Sequence, residues 1–250
     1  MEPSDSLQGK IALVTGGAAR LGAEIVRQLH AAGADVVVHY RSSAAPAEAL
    51  RDELEASRAG SATLVQGDLL QPESWPRLIE AAVAFGGGLD ILVNNASTYY
   101  PTPVGEATPA QWDDLFGSNA RAPFFLAQAA AAQLRARGGC IVNLVDIHAE
   151  RPNPDHPVYC MAKAANAMMV KALARDLAPE VRVNGIAPGA ALWPEGYMAD
   201  ATRQAILQRI PLGRPAGAEE IARAVLFMVN GNSYVTGQIL AVDGGRTVQQ

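Results

Sequence analysis

Tyr159 and Lys163 stand four residues apart in the stretch HPVYCMAKAANAMMV. On a helix that spacing puts both side chains on one face. An ammonium beside a phenol favours the phenolate, bringing a group of reference pKa about 10 closer to working pH. Such a pair can hand a proton to a reacting atom. Upstream, at the end of the apolar run CIVNLV, lies a carboxylate, Asp146. Packing against Ile141, Leu144 and Val145 would raise its pKa, while Lys163 would pull the other way, and residue types alone leave that balance open. The plain alternative for the pair is an exposed tyrosine and lysine on an amphipathic helix.

The elements that must hold these groups follow from the hydrophobic pattern. KIALVTGG is a short apolar strand ending in glycines, followed by AARLGAEIVRQLHAAGA, in which Leu21, Ile25 and Leu29 share one helical face. Strand DVVVHYR, helix PAEALRDELEASRAG, strand ATLVQGDL and helix SWPRLIEAAVAFGG continue the alternation. LDILVNNAS is the next strand, and PAQWDDLFGSNARAPFFLAQAAAAQLRARGG is one long helix or two abutting ones. Strand CIVNLVD, the Tyr159 helix, strand VRVNGIAPG, helices near 201–209 and 218–229, and a last strand QILAVDGG complete the chain. Regular βα alternation implies an α/β fold: one Rossmann-type, doubly wound domain whose parallel sheet carries helices on both faces. Such sheets bind ligands at the carboxyl ends of their strands. The first eight residues read as a flexible tail on a single domain spanning 1–250.

Composition narrows the function. A net charge of -5 and a pI near 5.4 leave no basic field for nucleic acid. No window approaches the ~18 uninterrupted apolar residues of a membrane helix, and MEPSDSLQGK lacks the layout of a secretory signal. The expectation is a cytoplasmic protein whose two cysteines, Cys140 and Cys160, are reduced. His39, His148 and His156 are scattered without a paired metal-ligand spacing, and no serine sits in a G-x-S-x-G elbow, so metal and hydrolase chemistry find no support.

The glycine turn TGGAARLG, Thr15–Gly22, lies between a strand and a helix, where backbone N–H groups can accept a pyrophosphate. It is followed by Asp68 after the third strand, NNA at 94–96, Asn119 within a helix, the Tyr159/Lys163 pair and Pro188-Gly189. In this order the set resembles the short-chain dehydrogenase/reductase family, from about residue 9 to 246. The resemblance implies that Tyr159 donates a proton, that Lys163 holds the nicotinamide ribose, and that Asn119 completes a proton relay. It implies a dinucleotide cleft built from Gly16, Arg20, Leu21, Gly22, Asp68, Leu69, Asn95, Ala96, Ser97, Pro188 and Gly189. The second strand ends VVVHYRSS, with no acid to repel a 2′-phosphate. His39, Tyr40, Arg41 and Ser42, with Arg20 adding a guanidinium, therefore favour NADPH.

Most relatives carry a serine where this chain has Asp146. An ionised carboxylate repels a developing alkoxide, which argues against ketone reduction. It suits a carbon–nitrogen double bond, which becomes more electrophilic once its nitrogen is protonated. Here the resemblance narrows to the pteridine reductases, carried by TGGAARLG, HYRSS, NNASTYYPTP and NLVDIHAERPNPDHPVYCMAK. It implies a pterin or folate substrate contacted by Arg20, Ser97, Asp146 and Tyr159, with Tyr99 stacking on the ring. The loop AALWPEGYMAD after Pro188-Gly189 reads as a lid whose Leu192, Trp193 and Tyr197 wall the substrate tail, or equally as an interface segment. The resemblance also implies a homotetramer, with Arg246 reaching a neighbour's site or lying in a disordered tail. The rivals are a carbonyl reductase in which Asp146 is a tolerated replacement, and a non-catalytic NADP(H) sensor, which would have no need of the Tyr159, Lys163 and Asn119 relay.

Overall fold

The computed structural model describes residues 6–191, 200–231 and 233–248. Seven strands form one parallel sheet: β1 (Ile11–Val14), β2 (Asp35–Tyr40), β3 (Ala62–Gln66), β4 (Ile91–Asn94), β5 (Cys140–Leu144), β6 (Arg182–Pro188) and β7 (Ile239–Val242). Their order is β3-β2-β1-β4-β5-β6-β7. The strands are near-continuous apolar runs because both faces of the sheet are covered, and all four residues of β1 and of β4 are buried. The chain reverses its direction of travel across the sheet between β1 and β4, which opens a crevice at their carboxyl ends.

Helices α1 (Arg20–Ala31), α2 (Ala44–Ser57), α3 (Ser74–Gly86), α4 (Pro109–Phe116), α5 (Ala122–Arg137), α6 (Pro157–Asp176), α7 (Asp200–Leu207) and α8 (Ala218–Leu226) surround the sheet. On α1, Ile25 and Leu29 are fully buried and Leu21 packs at the core's margin, as their shared face requires. Thr108 caps α4 reciprocally with Gln111, and Pro109 opens its first turn. Two large apolar cores result, one on each side of the sheet, with two smaller clusters around Tyr159 and around Val145 and Val170.

The long segment after Thr108 is neither one regular helix nor two separate ones. A π-helical turn, Gly117–Arg121, joins α4 to α5 and carries Asn119. The Asn119 side chain donates to Leu115 O at 3.0 Å and to Thr98 O at 3.0 Å, so the widened turn is held both by the helix and by the loop after β4. A second π turn, Phe227–Gly231, follows α8, so the segment read as a helix over 218–229 changes pitch near its end.

Candidate active site

A cleft of about 790 Å³ runs along the carboxyl ends of the strands from the glycine turn to Arg246. Its volume lies within the roughly 300–1,000 Å³ range of small-molecule sites. At one end, Gly16 adopts φ +60, and a Cβ on Gly22 would lie 2.1 Å from Gly16 O. Bare backbone is therefore required here, and it leaves the start of α1 open. That start has no side-chain cap and no acid in its first turn, the condition under which helix N–H groups receive phosphate. Arg20 holds φ 53, a conformation that costs a non-glycine residue roughly 1–2 kcal/mol. Its side chain is exposed on the cleft.

The turn is clamped from behind. Asn95 donates its side-chain N–H to Thr15 O at 2.9 Å and to Gly16 O at 3.1 Å. Thr15 Oγ1 accepts from the backbone N–H groups of Asn95 and Ala96. His39 does something other than the phosphate contact expected of it. Its Nδ1 accepts from Gly16 N–H at 3.1 Å and its Nε2 donates to Gly67 O at 3.1 Å. Buried at 2 % exposure, with its pKa lowered by that burial, it is a neutral strut between the glycine turn and the end of β3. The exposed Arg41 and Ser42 line the cleft beside it with Tyr40, while Asp68 caps its own turn by accepting from Leu70 N–H at 3.0 Å. Leu69, Ala96, Pro188 and Gly189 line the remaining wall.

At the other end the catalytic candidates meet. Tyr159 Oη donates to Asp146 Oδ2 at 2.8 Å, and Asp146 Oδ1 accepts from His148 N–H at 2.8 Å, which starts the short 3-10 turn Ile147–Ala149. Lys163 Nζ donates to Leu144 O at 2.9 Å and lies 5.7 Å from the Tyr159 ring centroid. The direction of the tyrosine shift is opposite to that expected from the lysine alone. Burial pushes the phenol well above its ordinary 10, and the Asp146 charge and hydrogen bond push it further. Burial also lowers Lys163 to about 8, with Asp146 opposing. The protons at neutral pH thus sit on the phenol and the amine.

Behind them is an asparagine ladder that reading the sequence did not single out as such. Register pairs Asn94 with Asn143, and Asn94 Nδ2 donates to Asn143 Oδ1 at 2.9 Å. Asn143 Nδ2 donates to Asn166 Oδ1 at 2.9 Å, and Asn166 Nδ2 donates to Asn119 O at 2.8 Å. All four residues are buried. The available signal was an asparagine inside the otherwise apolar strand CIVNL and another one turn beyond Lys163 on the same helix face.

Ser97 Oγ donates to Asn119 Oδ1 at 2.6 Å at the cleft wall. Tyr99 is exposed there, stacked on His156 with centroids 4.6 Å apart and edge-to-face with Tyr159 at 4.8 Å; its hydroxyl accepts from Asn153 Nδ2 at 2.9 Å. Its neighbour Tyr100 packs inward and donates to Asp114. Arg246 is half-buried on this same chain's cleft, so the disordered-tail expectation does not hold. Leu192, Trp193 and Tyr197 lie outside the described residues.

A doubly wound sheet, a glycine turn feeding an open helix start and a buried Tyr/Lys pair at the far end of one cleft are the apparatus of an oxidoreductase. The family model described as enoyl-(acyl carrier protein) reductase matches residues 16–247. The chain belongs to the short-chain dehydrogenase/reductase family, whose members use a nicotinamide cofactor. It is 36% identical to pteridine reductase 1 of Leishmania tarentolae, over 94% of this chain and 95% of that protein. It is also 36% identical to 3beta-hydroxysteroid dehydrogenase 1 of Eggerthella lenta, over 98% and 96% of the two chains. A hydroxynaphthalene reductase-like protein of Metarhizium guizhouense is 34% identical over 98% of this chain and 97% of its own.

Proposed function

We propose that the protein is an NADPH-dependent pteridine reductase, reducing a C=N bond of a pterin or dihydropterin, or of a folate, while its own side chains protonate the ring nitrogen. The observation that carries this reading is the 2.8 Å hydrogen bond from Tyr159 to Asp146. The phenol proton is aimed at a carboxylate, and a carboxylate facing a ketone would oppose the alkoxide that must form.

The glycine turn, Asn95 and the start of α1 would hold the pyrophosphate, Lys163 the nicotinamide ribose, and Arg20, Arg41 and Ser42 the 2′-phosphate. When bound, the dinucleotide supplies a hydride to carbon. As electron density builds on the adjacent ring nitrogen, the Tyr159 Oη proton would pass to it through the Asp146 carboxylate, leaving a phenolate balanced by the Lys163 ammonium. Lys163 keeps positive charge beneath that exchange, and the Asn94–Asn143–Asn166–Asn119 ladder fixes the π turn against α6. Tyr99, held by His156 and Asn153, is a stiff aromatic wall for a flat heterocycle, with stacking worth about 0.5–1.5 kcal/mol beyond burial.

The similarity to a protein named pteridine reductase 1 supports the same reading. The test is NADPH oxidation followed by absorbance with biopterin, dihydrobiopterin and folate; no turnover on any of them would overturn it. A carbonyl-reductase reading is favoured by the relatives named for hydroxysteroid and hydroxynaphthalene chemistry. Asp146→Ser separates the two, because a carbonyl reductase should gain activity and a pteridine reductase should lose it.

A cytoplasmic homotetramer is the working state we infer. Exposed Trp112 on α4 and Phe124 on α5 offer an apolar face for self-association, and no described helix is long and apolar enough to cross a membrane. Sedimentation at micromolar concentration tests the assembly, a monomer overturning it.

A further inference from the structure

Against the catalytic cleft lies a second cavity of about 410 Å³. His148, Asn153 and Arg246 line both cavities, so the two adjoin along the wall that carries Asp146 and Tyr99. Arg151 and Arg209 line only the second. Three arginines therefore line one small cavity in a protein of net charge -5.

The arrangement is built. Asp243 Oδ1 accepts from Gly245 N–H at 2.9 Å and Oδ2 from Thr247 N–H at 2.7 Å, folding the chain after β7 into a turn that presents Arg246. Arg151 donates to Thr247 O at 2.9 Å and ties that turn to the loop after β5. Among the described residues, no carboxylate comes within ion-pair distance, 4.0 Å, of Arg151, Arg209 or Arg246. Burial lowers the Arg246 pKa; Asp146 pulls it up, Arg209 pushes it down, and Tyr99 and Asp243 add smaller upward pulls. Arg246 is half-buried and Arg151 and Arg209 are exposed, so their guanidinium groups remain open to a multivalent anion, which they can hold by bidentate hydrogen bonding.

We propose that this side cavity is a subsite for an anionic tail on the pteridine substrate, either the carboxylates of a glutamyl arm or a phosphate ester. The inference rests on the pteridine reading for the ring, which the main cleft would hold, and adds the substituent. A ring placed beside Asp146 and Tyr99 lies next to the wall the cavities share, so a tail of a few bonds enters the second one. A short neutral side chain gains nothing there.

The test compares dihydrobiopterin with dihydrofolate and with dihydroneopterin phosphate, in wild type and in Arg209→Gln, an exposed residue outside the main cleft. The expected result is a KM for one or both anionic substrates raised about tenfold or more in the variant, with KM for dihydrobiopterin changed less than twofold; which anionic substrate responds identifies the tail. Arg151→Gln should act in the same direction. In parallel, p-aminobenzoyl-glutamate and inorganic phosphate are titrated by calorimetry, and at least one should bind wild type and lose most of its binding in Arg209→Gln. Equal effects on neutral and anionic substrates, or fragment binding that ignores the substitution, would overturn the subsite. If no pteridine is turned over yet a fragment binds through Arg209, the ring assignment fails and the anion site stands. If dihydrobiopterin is reduced and neither fragment binds, the reverse holds.

Discussion

Lys163 Nζ donates to the Leu144 carbonyl at 2.9 Å, two residues before Asp146. The ammonium is thus pinned to the end of β5, inside the protein at 3 % exposure, and burial brings its pKa down to about 8. A lysine so lowered loses its charge just above neutrality. The rate constant kcat/KM for a pterin should hold steady through neutral pH and fall about tenfold per unit above roughly pH 8. Lys163→Arg, slower overall, should keep its charge and show no such fall below pH 10. A pH–rate profile of both enzymes checks this; an identical alkaline limb in the variant would assign the limb to another group.

Asp146→Asn keeps an acceptor for the Tyr159 hydroxyl and removes the carboxylate through which its proton would pass. Turnover of dihydrobiopterin should drop by about 10²–10⁴ with KM within a few-fold, the size usual for a general acid. The substitution also removes a negative charge that raises the phenol, so the Tyr159 pKa should fall. Ultraviolet titration of tyrosinate reads that shift directly. A phenol titrating unchanged would show that Asp146 does not govern it.

His39→Gln and Arg41→Ala should separate scaffold from phosphate recognition. His39 holds Gly16 N–H and Gly67 O, so its loss should destabilise the protein by about 1–3 kcal/mol and weaken NADPH and NADH alike. Arg41→Ala should weaken NADPH alone. The pH dependence follows from the lowered His39 pKa. The folded form resists protonation, so the stability it contributes is complete above the unfolded value near 6.5 and is lost as pH falls toward the folded value. Urea midpoints across pH 5–7 should therefore slope less steeply in His39→Gln.

The strands and most helices were legible because parallel strands buried on both faces are written as apolar runs, and α1 as a single face. The gathering of Tyr159, Lys163 and Asp146 was legible through spacing: Tyr159 and Lys163 share a helix, and Asp146 ends a strand. The π turn was not, because it depends on Asn119 reaching Thr98 O, a contact with a loop far away in the chain. His39 was misread since a histidine beside Arg41 and Ser42 looks like an anion cluster. Only the neighbouring turn, packed against β2, shows that both its nitrogens face backbone. The Tyr159 shift was misjudged for a similar reason: the lysine effect is visible as a spacing of four, whereas the opposing carboxylate contact and the degree of burial are tertiary.

The asparagine ladder yields the last prediction. Asn143 sits at its centre, fully buried, accepting from Asn94 and donating to Asn166. Asn143→Ala leaves both partners short of a bond, and Asn94 Oδ1 already lacks one among the described residues. At about 1–3 kcal/mol for each buried group left unpaired, the loss should be about 2–5 kcal/mol in urea unfolding. Asn166→Ala should cost a similar amount, and the double variant less than the sum, because the second change removes a group the first had stranded. The effect should reach catalysis through Asn119 O, which Asn166 holds beside α6. In Asn166→Ala, kcat should fall more than KM changes, and Asn166→Asp, which keeps the acceptor for Asn143 and loses the donor to Asn119, should restore little of it. A purely structural ladder would instead lower the unfolding midpoint while leaving kcat of the folded fraction untouched, and strictly additive losses in the double variant would show that the asparagines do not act as one network.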